Sequence, residues 1–382
     1  MIAVVLAGDV GRERVAGLSL VARAVLVLAR AGAERVDVVG DSSEPELARA
    51  GVPVRSIALD DITAPCVLAR ADCVFDVALA RRALAASPGE RVGQLYVLGP
   101  GQLAELRGGV PLAALPARAL DAGDALSLAA TTPEKRRAAE DQLYRSLRKR
   151  VDGPASRWVN RPISLAVTRR IIDSGITPNQ MTVVANAIGA IGVAVVFQAS
   201  WLAVAIGSLL VQLQSILDGC DGELARLKLS SSRFGEWFDN VLDDLVNMAY
   251  GVALGHAASV LSGEPIWRWL GIGSALAYVF HNTVMYVQLA RVHRSGNPFN
   301  FRWWFQRGEQ DVTAMLERRG LVTRAAALLR SLIRRDVFLL GFCVLAALRL
   351  PQVAVAWYAA VAASQSGLML VHVLMGGARL GR

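Results

Sequence analysis

The sequence predicts two bodies of different class: an α/β domain over residues 1–128 and, after a helical linker over 129–152, an α-helical integral membrane domain of six transmembrane helices over 153–382. Three observations carry that expectation. The 382-residue chain is 54% hydrophobic and only 19% charged, with a mean hydropathy of +0.40, which is too apolar for an ordinary soluble protein. Its first third alternates short apolar runs with amphipathic stretches. Beyond Thr177 the apolar segments lengthen to the roughly 20 residues that a bilayer crossing needs.

The first third reads "IAVVLAG", then "LSLVARAVLVLARAG", "RVDVVG", "ADCVFDVALARRAL" and "QLYVLG". Strand and helix in alternation predict an open parallel sheet with helices on both faces. The start, "MIAVVLAGDV", has no basic region before its short apolar run and reads as a buried strand rather than a signal peptide. "TPEKRRAAEDQLYRSLRKRV" then opens with a capping threonine, a proline and an early glutamate and ends basic, the pattern of a solvated linker helix. The next segment mixes Trp158, Val159, Ile163, Leu165, Val167 and Ile171 with Arg157, Arg161, Arg169 and Arg170. A basic amphipathic helix just before a membrane span lies in the headgroup plane; a surface helix of a soluble domain is the plainer alternative.

Six spans are expected near 180–198, 200–219, 236–258, 266–290, 336–350 and 352–375. Arginine placement orients them. The link from Arg291 to Arg335 holds ten arginines, while the links on the opposite side have only Arg268 and Arg349 nearby. The positive-inside rule then puts the amino-terminal domain, both charged links and the carboxyl terminus in the cytoplasm. The net charge of +9 suits nucleic acid, acidic headgroups or phosphorylated substrates without choosing among them. Cys66, Cys73, Cys220 and Cys343 lie far apart with no metal-ligand spacing, so they read as buried thiols.

The chemistry concentrates in "ILDGCDGELARLKLSSSRFGEWFDNVLDDL", residues 216–245, where five aspartates and two glutamates stand between two apolar segments. Asp218 and Asp221 are three apart, and Asp239 and Asp243 four apart, so each pair shares one face of its helix. If the two helices are antiparallel neighbours, four carboxylates surround one small volume. An ionisable group in the membrane costs on the order of 2.5 kcal/mol or more. Something positive must therefore sit among them. All-oxygen ligands favour Mg2+, Mn2+ or Ca2+, and no histidine or cysteine is spaced to help, since Cys220 points off the aspartate face. Two such ions a few ångströms apart suit displacement at phosphorus. Gly222 permits close backbone approach, Ala225 keeps the surface low, Arg226 can clamp a phosphate, and Gly235 opens the next helix without a side chain.

Read as D-x-x-D-G-x-x-A-R, eight residues, then G-x-x-x-D-x-x-x-D, this run is similar to the CDP-alcohol phosphotransferase signature at Asp218, Asp221, Gly222, Ala225, Arg226, Gly235, Asp239 and Asp243. "GITPNQMT" at 175–182 resembles the segment that begins the first membrane helix of that family. The resemblance covers roughly residues 153–382. It implies a homodimeric six-helix enzyme of the inner membrane, active site facing the cytoplasm, with two divalent cations, Mg2+ or Mn2+. A CDP-alcohol is the donor, an acceptor hydroxyl attacks the phosphorus on the alcohol side, and CMP leaves; no nucleic-acid partner is implied. By the same resemblance Asp218, Asp221, Asp239 and Asp243 bind metal, and Asp243 is also the general base. Asp218, Gly222, Ala225, Arg226 and Gly235 line the nucleotide.

Neighbouring residues have plainer readings. Glu223 and Asp244 are taken as solvated or helix-end charges, Asn179 as a helix cap, and His281 and Asn282 as interhelical hydrogen-bond partners. Trp267, Trp269, Trp303 and Trp304 read as interfacial belt residues. Arg334 and Arg335 fit either an acceptor phosphate or interfacial anchoring.

In the amino-terminal domain Gly8 and Gly11 follow a strand, where a phosphate loop would be, but a Walker lysine and a dinucleotide spacing are both missing. The stretch resembles the sugar-phosphate nucleotidyltransferases, a Rossmann-like α/β family, in which some members are fused ahead of the membrane enzyme. Arg12 or Arg14 would stand for the loop arginine, and Asp72 and Asp76 fall in the part similar to the metal-aspartate strand. The lysine expected after the loop is absent from "GLSLVARAV", which leaves a departing pyrophosphate short of positive charge. A degenerate domain with a structural role is the expectation.

The function expected is metal-dependent transfer from a CDP-alcohol in phospholipid biosynthesis. The alternative is a soluble inositol-type phosphodiester made from a CDP-polyol and a polyol phosphate, or a bifunctional enzyme whose first domain makes the CDP-alcohol. A cation transporter is the competing class, but transport sites lie near the bilayer midplane on broken helices, whereas these carboxylates fall at helix ends.

Overall fold

A computed structural model describes residues 1–63, 65–148, 152–293, 300–303 and 331–376. The chain divides into two compact units. The first comprises 1–147 with 172–174 and 224–230, and the second takes 148–171, 175–223 and 231–382.

The first unit is built on a seven-stranded sheet of order β10-β8-β9-β6-β1-β4-β5. Its centre is β1 (Ile2–Leu6), parallel to β4 (Arg35–Val39) on one side and to β6 (Cys66–Arg70) on the other. β5 (Val54–Ile57) extends the parallel run beyond β4. The sheet is mixed rather than wholly parallel, because β8 (Glu90–Val92) and β9 (Leu95–Leu98) are joined by the two-residue turn Gly93-Gln94. A connection that short can only reverse the chain, and β9 accordingly runs antiparallel to β6 as well. Two-stranded pairs, β2 (Arg14–Val15) with β3 (Leu18–Ser19) and β7 (Cys73–Phe75) with β11 (Ser127–Ala129), complete the strands with β10 (Arg118–Leu120).

Helix α1 (Leu20–Ala31) is capped by Ser19, whose hydroxyl accepts from Ala22 N at 3.0 Å, and ends at Gly32 in the left-handed region. The apolar residues of α1 from Leu20 to Leu28 are buried, as are Val4, Leu68 and Leu98 of the sheet. Helices α2 (Val77–Ala85) and α3 (Pro100–Arg107) follow. Helix α4 (Pro133–Ser146), read from the sequence as a solvated linker, lies in this unit with Ala139 and Tyr144 buried and Arg136 3.3 Å from Glu13. Burial pushes the Cys66 thiol up to about 11 and that of Cys73 up to about 12; all four cysteines are free.

The second unit is helical. A short π-helical turn over Ser156–Asn160 leads into α5 (Arg161–Ile171), followed by α6 (Pro178–Val196), α7 (Trp201–Leu227), α8 (Arg233–Ser262) and α9 (Ile266–Gln288), then α10 (Arg335–Ala347) and α11 (Pro351–Leu374). Four of these, α6, α7, α8 and α11, are long and apolar enough to cross a membrane. The chain is therefore a membrane protein. Of the six expected spans, α9 has 23 residues, but its Arg268, His281, Asn282 and Gln288 dilute its apolar character. The fifth, α10, has 13 residues, about 20 Å of helix, short of a hydrocarbon core. Trp304 and most of the arginine-rich link lie outside the described residues.

In a bundle facing lipid, packing rather than hydrophobic expulsion holds helices together, so small residues mark the contacts. Gly192 of α6 faces Gly207 of α7: a Cβ on Gly192 would stand 2.7 Å from the Gly207 carbonyl oxygen. Gly255 of α8 and Gly271 of α9 meet the same way, a Cβ on Gly255 falling 2.9 Å from Gly271 Cα. Tyr250, Leu254, Phe338, Phe342, Val355 and Tyr358 fill the core beside these contacts. Outward-facing Leu202, Leu209, Leu276 and Leu374 are each at least 60% exposed, as lipid-facing residues are. Gly192→Ala is expected to destabilise the bundle by roughly 1–3 kcal/mol, read as a lower thermal midpoint in detergent, because backbone on the facing helix cannot move aside.

Candidate active site at the ends of two membrane helices

Helix α7 carries Asp218 and Asp221 one turn apart, and α8 carries Asp239 and Asp243 one turn apart. The two helices bring Asp218, Asp221 and Asp239 together, each offering one carboxylate oxygen within 4.8 Å of the others. Asp243 stands beside them but is held differently. Its Oδ1 accepts from Gln214 Nε2 at 2.7 Å, and its Oδ2 from Arg335 Nη1 at 2.5 Å. The other arm of the same guanidinium, Nη2, donates to Asp218 Oδ2 at 2.7 Å. Arg335 is thus a fork between the first and last aspartates.

Asp221 accepts from the Thr182 hydroxyl of α6. The Oδ1 atoms of Asp218 and Asp239 are buried with no hydrogen-bond partner among the described residues. Among the described residues, one guanidinium against four carboxylates leaves the cluster short of positive charge. A donor set of hard oxygens with unpartnered buried atoms fits divalent cations of the Mg2+ or Mn2+ type, and Asp218, Asp221 and Asp239 are the residues placed to hold them.

The nucleotide-side candidates are distributed along the same helices. Gly222, Ala225 and Arg226 continue α7 beyond Asp221, with Arg226 half-buried. Gly235 lies in the first turn of α8, where its N–H donates to the capping Ser232 hydroxyl at 3.0 Å. A Cβ at Gly235 would stand 3.2 Å from Asn179 Oδ1. Asn179 is not the cap of α6. Thr177 is, its hydroxyl accepting from Gln180 N, while Gln180 reaches back to the Thr177 N–H at 2.9 Å.

Several plainer readings change. Glu223 is not a solvated charge: it is fully buried and receives Arg161 Nη1 at 2.6 Å, Ser164 Oγ at 2.7 Å and Thr168 Oγ1 at 2.6 Å. An ion of that kind is tolerated in the interior only because every neighbour donates to it. Arg161 is correspondingly no headgroup arginine, since it also binds Asp152 at 3.1 Å. Trp158 and Ile163 remain outward, the former 78% exposed. Asp244 is half-buried and takes the Tyr286 hydroxyl. Arg334 and Arg335 part company: Arg334 Nε pairs with Asp336 at 3.2 Å, while Arg335 enters the aspartate cluster. His281 faces the Gln365 carbonyl of α11 across 3.2 Å, an interhelical contact. Trp303 is packed edge-on against Phe301, with ring centroids 5.0 Å apart.

Sequence reasoning missed Gln214 and Thr182. Gln214 precedes Asp218 by one turn of α7, so helical spacing from the motif does point to it. Nothing in the spacing of Thr182 announces its pairing with Asp221.

A family model described as CDP-alcohol phosphatidyltransferase matches residues 175–316, the segment that supplies all four aspartates. Residues 175–316 form a CDP-alcohol phosphatidyltransferase domain. Proteins similar to this chain include a bifunctional IPC transferase and DIPP synthase of Thermococcus kodakarensis, 37% identical over 149 residues, which are 39% of this chain and 33% of that protein. A protein of the same name from Aquifex aeolicus is 38% identical over 140 residues, 36% of this chain and 30% of the relative. One from Rubrobacter xylanophilus is 35% identical over 126 residues, 32% and 28% respectively. The chain thus spans about a third of the length of the curated relatives it matches.

Removing the buried carboxylate of the CDP-alcohol phosphatidyltransferase domain that lies off the signature tests its structural role. Glu223→Ala strands Arg161, Ser164 and Thr168, and is expected to lower stability by about 3 kcal/mol. A thermal midpoint in detergent equal to that of the parent protein would contradict this account.

Proposed function

We propose that the helical unit transfers a substituted phosphoryl group from a CDP-alcohol to an acceptor hydroxyl and releases CMP. The observation that supports this reading most is the convergence of Asp218, Asp221 and Asp239 from two membrane helices within 4.8 Å of one another. In this reading those three, with Asp243 beside them, hold two divalent cations, Mg2+ or Mn2+, which when bound neutralise the pyrophosphate and the charge that develops on departing CMP.

The chain's own residues do the rest. Asp243 accepts the proton of the acceptor hydroxyl as that oxygen bonds to the phosphorus bearing the alcohol. The bond from this phosphorus to the CMP oxygen breaks, and its electron pair leaves with CMP. Gln214, donating to Asp243 Oδ1 at 2.7 Å, orients the carboxylate. Arg335 sets a positive charge beside the base, where an acceptor carrying a phosphate would be met; Arg334 is engaged by Asp336. Gly222, Ala225, Arg226 and Gly235 line the nucleotide, joined by Asp218.

The product in this reading is a phospholipid, made by a homodimer in the inner membrane whose active site faces the cytoplasm. A soluble inositol-type phosphodiester is the second reading. It draws on the relatives, each a bifunctional IPC transferase and DIPP synthase, and on the guanidinium beside Asp243.

The first unit is proposed to be a degenerate nucleotidyltransferase-like domain. Asp72 lies in a cavity of about 570 Å3 with Gly8, Asp9 and Thr131, where a metal-binding carboxylate would be wanted. Arg70 already engages it through two nitrogens, Nε at 2.9 Å and Nη2 on the second oxygen. Asp76 is occupied as the cap of α2, accepting from Leu79 N at 2.8 Å. These residues do not fit a catalytic metal.

Purified protein given CDP-alcohols and Mg2+ or Mn2+ is expected to release CMP, to stop on chelation and to recover when either ion is returned; absence of CMP release from every donor tried would end the reading. Asp243→Asn is expected to lower turnover by roughly a thousandfold while the CDP-alcohol dissociation constant stays within about threefold. Equal loss of binding and turnover would remove Asp243 from the role of base. Pyrophosphate release from CTP and an alcohol phosphate would reinstate the first unit as an enzyme.

A further inference from the structure

Helix α7 ends within the first unit: residues 224–230 belong to the α/β body and not to the bundle. The accounting of its last carbonyls shows why. Leu229 adopts the left-handed region at φ +47°, and the turn it makes lets Ser230 N donate to Ala225 O at 2.8 Å and Leu229 N to Arg226 O at 3.3 Å. This is the two-bond helix stop usually built on glycine. Lys228 N donates to Leu224 O at 2.8 Å. The Leu227 carbonyl is next, and it receives Arg23 Nη2 at 3.0 Å.

Arg23 lies in α1 and is 3% exposed. The same nitrogen also donates to Val15 O at 2.7 Å and Ala16 O at 3.1 Å, so one guanidinium joins the β2–β3 turn to the end of α7. Burial lowers this guanidinium to about 10, opposed by Glu140, so it stays charged at neutral pH. A cation at the carboxyl end of a helix complements the helix dipole. Lys228 Nζ adds a second tie, to Ser174 O at 3.0 Å. A leucine held in the left-handed region needs such support, since that conformation is unfavourable for a residue with a Cβ.

We propose that Arg23 is a positioning residue for the nucleotide: the α/β unit serves the transferase by clamping the last turn of α7, which carries Ala225 and Arg226. The inference rests on the CDP-alcohol reading above and gives the unit a purpose that does not require it to be an enzyme. Arg23 touches no substrate and acts through Arg226.

The test measures the KM for the CDP-alcohol, kcat, and amide hydrogen exchange over 224–230 in the full chain. Arg23→Ala is expected to raise KM about tenfold, equivalent to about 1.4 kcal/mol, with kcat within about twofold, and to speed exchange at Leu229 and Ser230. Arg23→Lys, which keeps the charge, recovers part of both. In an Arg226→Ala background the Arg23→Ala change adds no further rise, as expected when one residue acts through the other. Leu68→Ala, a core truncation elsewhere in the same unit, leaves KM unchanged. An equal rise for Leu68→Ala, full additivity with Arg226→Ala, or unaltered exchange in Arg23→Ala overturns the clamp. Should the parent protein release no CMP, the transfer reading fails by itself, and the exchange measurement still decides whether Arg23 holds the helix end.

Discussion

Four carboxylates meeting inside an apolar bundle is the constraint on which the second unit turns. Each aspartate alone would be costly there, and together they repel. Their position is tolerable only if positive charge is supplied and the surrounding donors are in place. Arg335 supplies one charge, bridging Asp218 and Asp243; Thr182 and Gln214 supply donors to Asp221 and Asp243. The unpartnered oxygens of Asp218 and Asp239 mark where that supply is incomplete. A site that is electrostatically unfinished without ligand is one whose stability is linked to ligand binding.

The frame that holds the carboxylates is correspondingly stiff. Backbone touches backbone at Gly192 and Gly207 and again at Gly255 and Gly271, so α6 with α7, and α8 with α9, have little room to slide. Glu223, two residues beyond Asp221 and satisfied on all sides, ties α7 to α5. Its burial makes it a strut. Charge in this stretch of sequence is therefore held in two different ways: Asp218 and Asp239 each keep an unpartnered oxygen among the described residues, and Glu223 is closed off by its donors.

Much of this was legible beforehand. The i, i+3 and i, i+4 spacings placed each aspartate pair on one face, and the apolar lengths located the helices. The β1, α1 and β4 run followed from strand and helix periodicity alone. What failed to appear has physical causes. Spacing along one helix cannot tell a solvated glutamate from one met by Arg161, whose partner arrives 62 positions away. The antiparallel β9 depends on a two-residue turn whose meaning emerges only when the sheet pairs. Arg335 lies 92 residues from Asp243, and a basic pair at a helix start is equally suited to lipid headgroups. Local pattern reports faces and lengths; it is silent about which distant side chain completes a charge.

The start of α10 has one more consequence. The Asp336 side chain accepts the Ser156 N–H at 2.9 Å and pairs with Arg334 at 3.2 Å, so it ties the start of α10 to the segment that enters the bundle. Sliding or tilting α10 to withdraw the guanidinium from between Asp218 and Asp243 would break this tie. Turning about the χ angles of Arg335 would leave it intact, so a change of rotamer is the less costly way to exchange arginine for an incoming ligand.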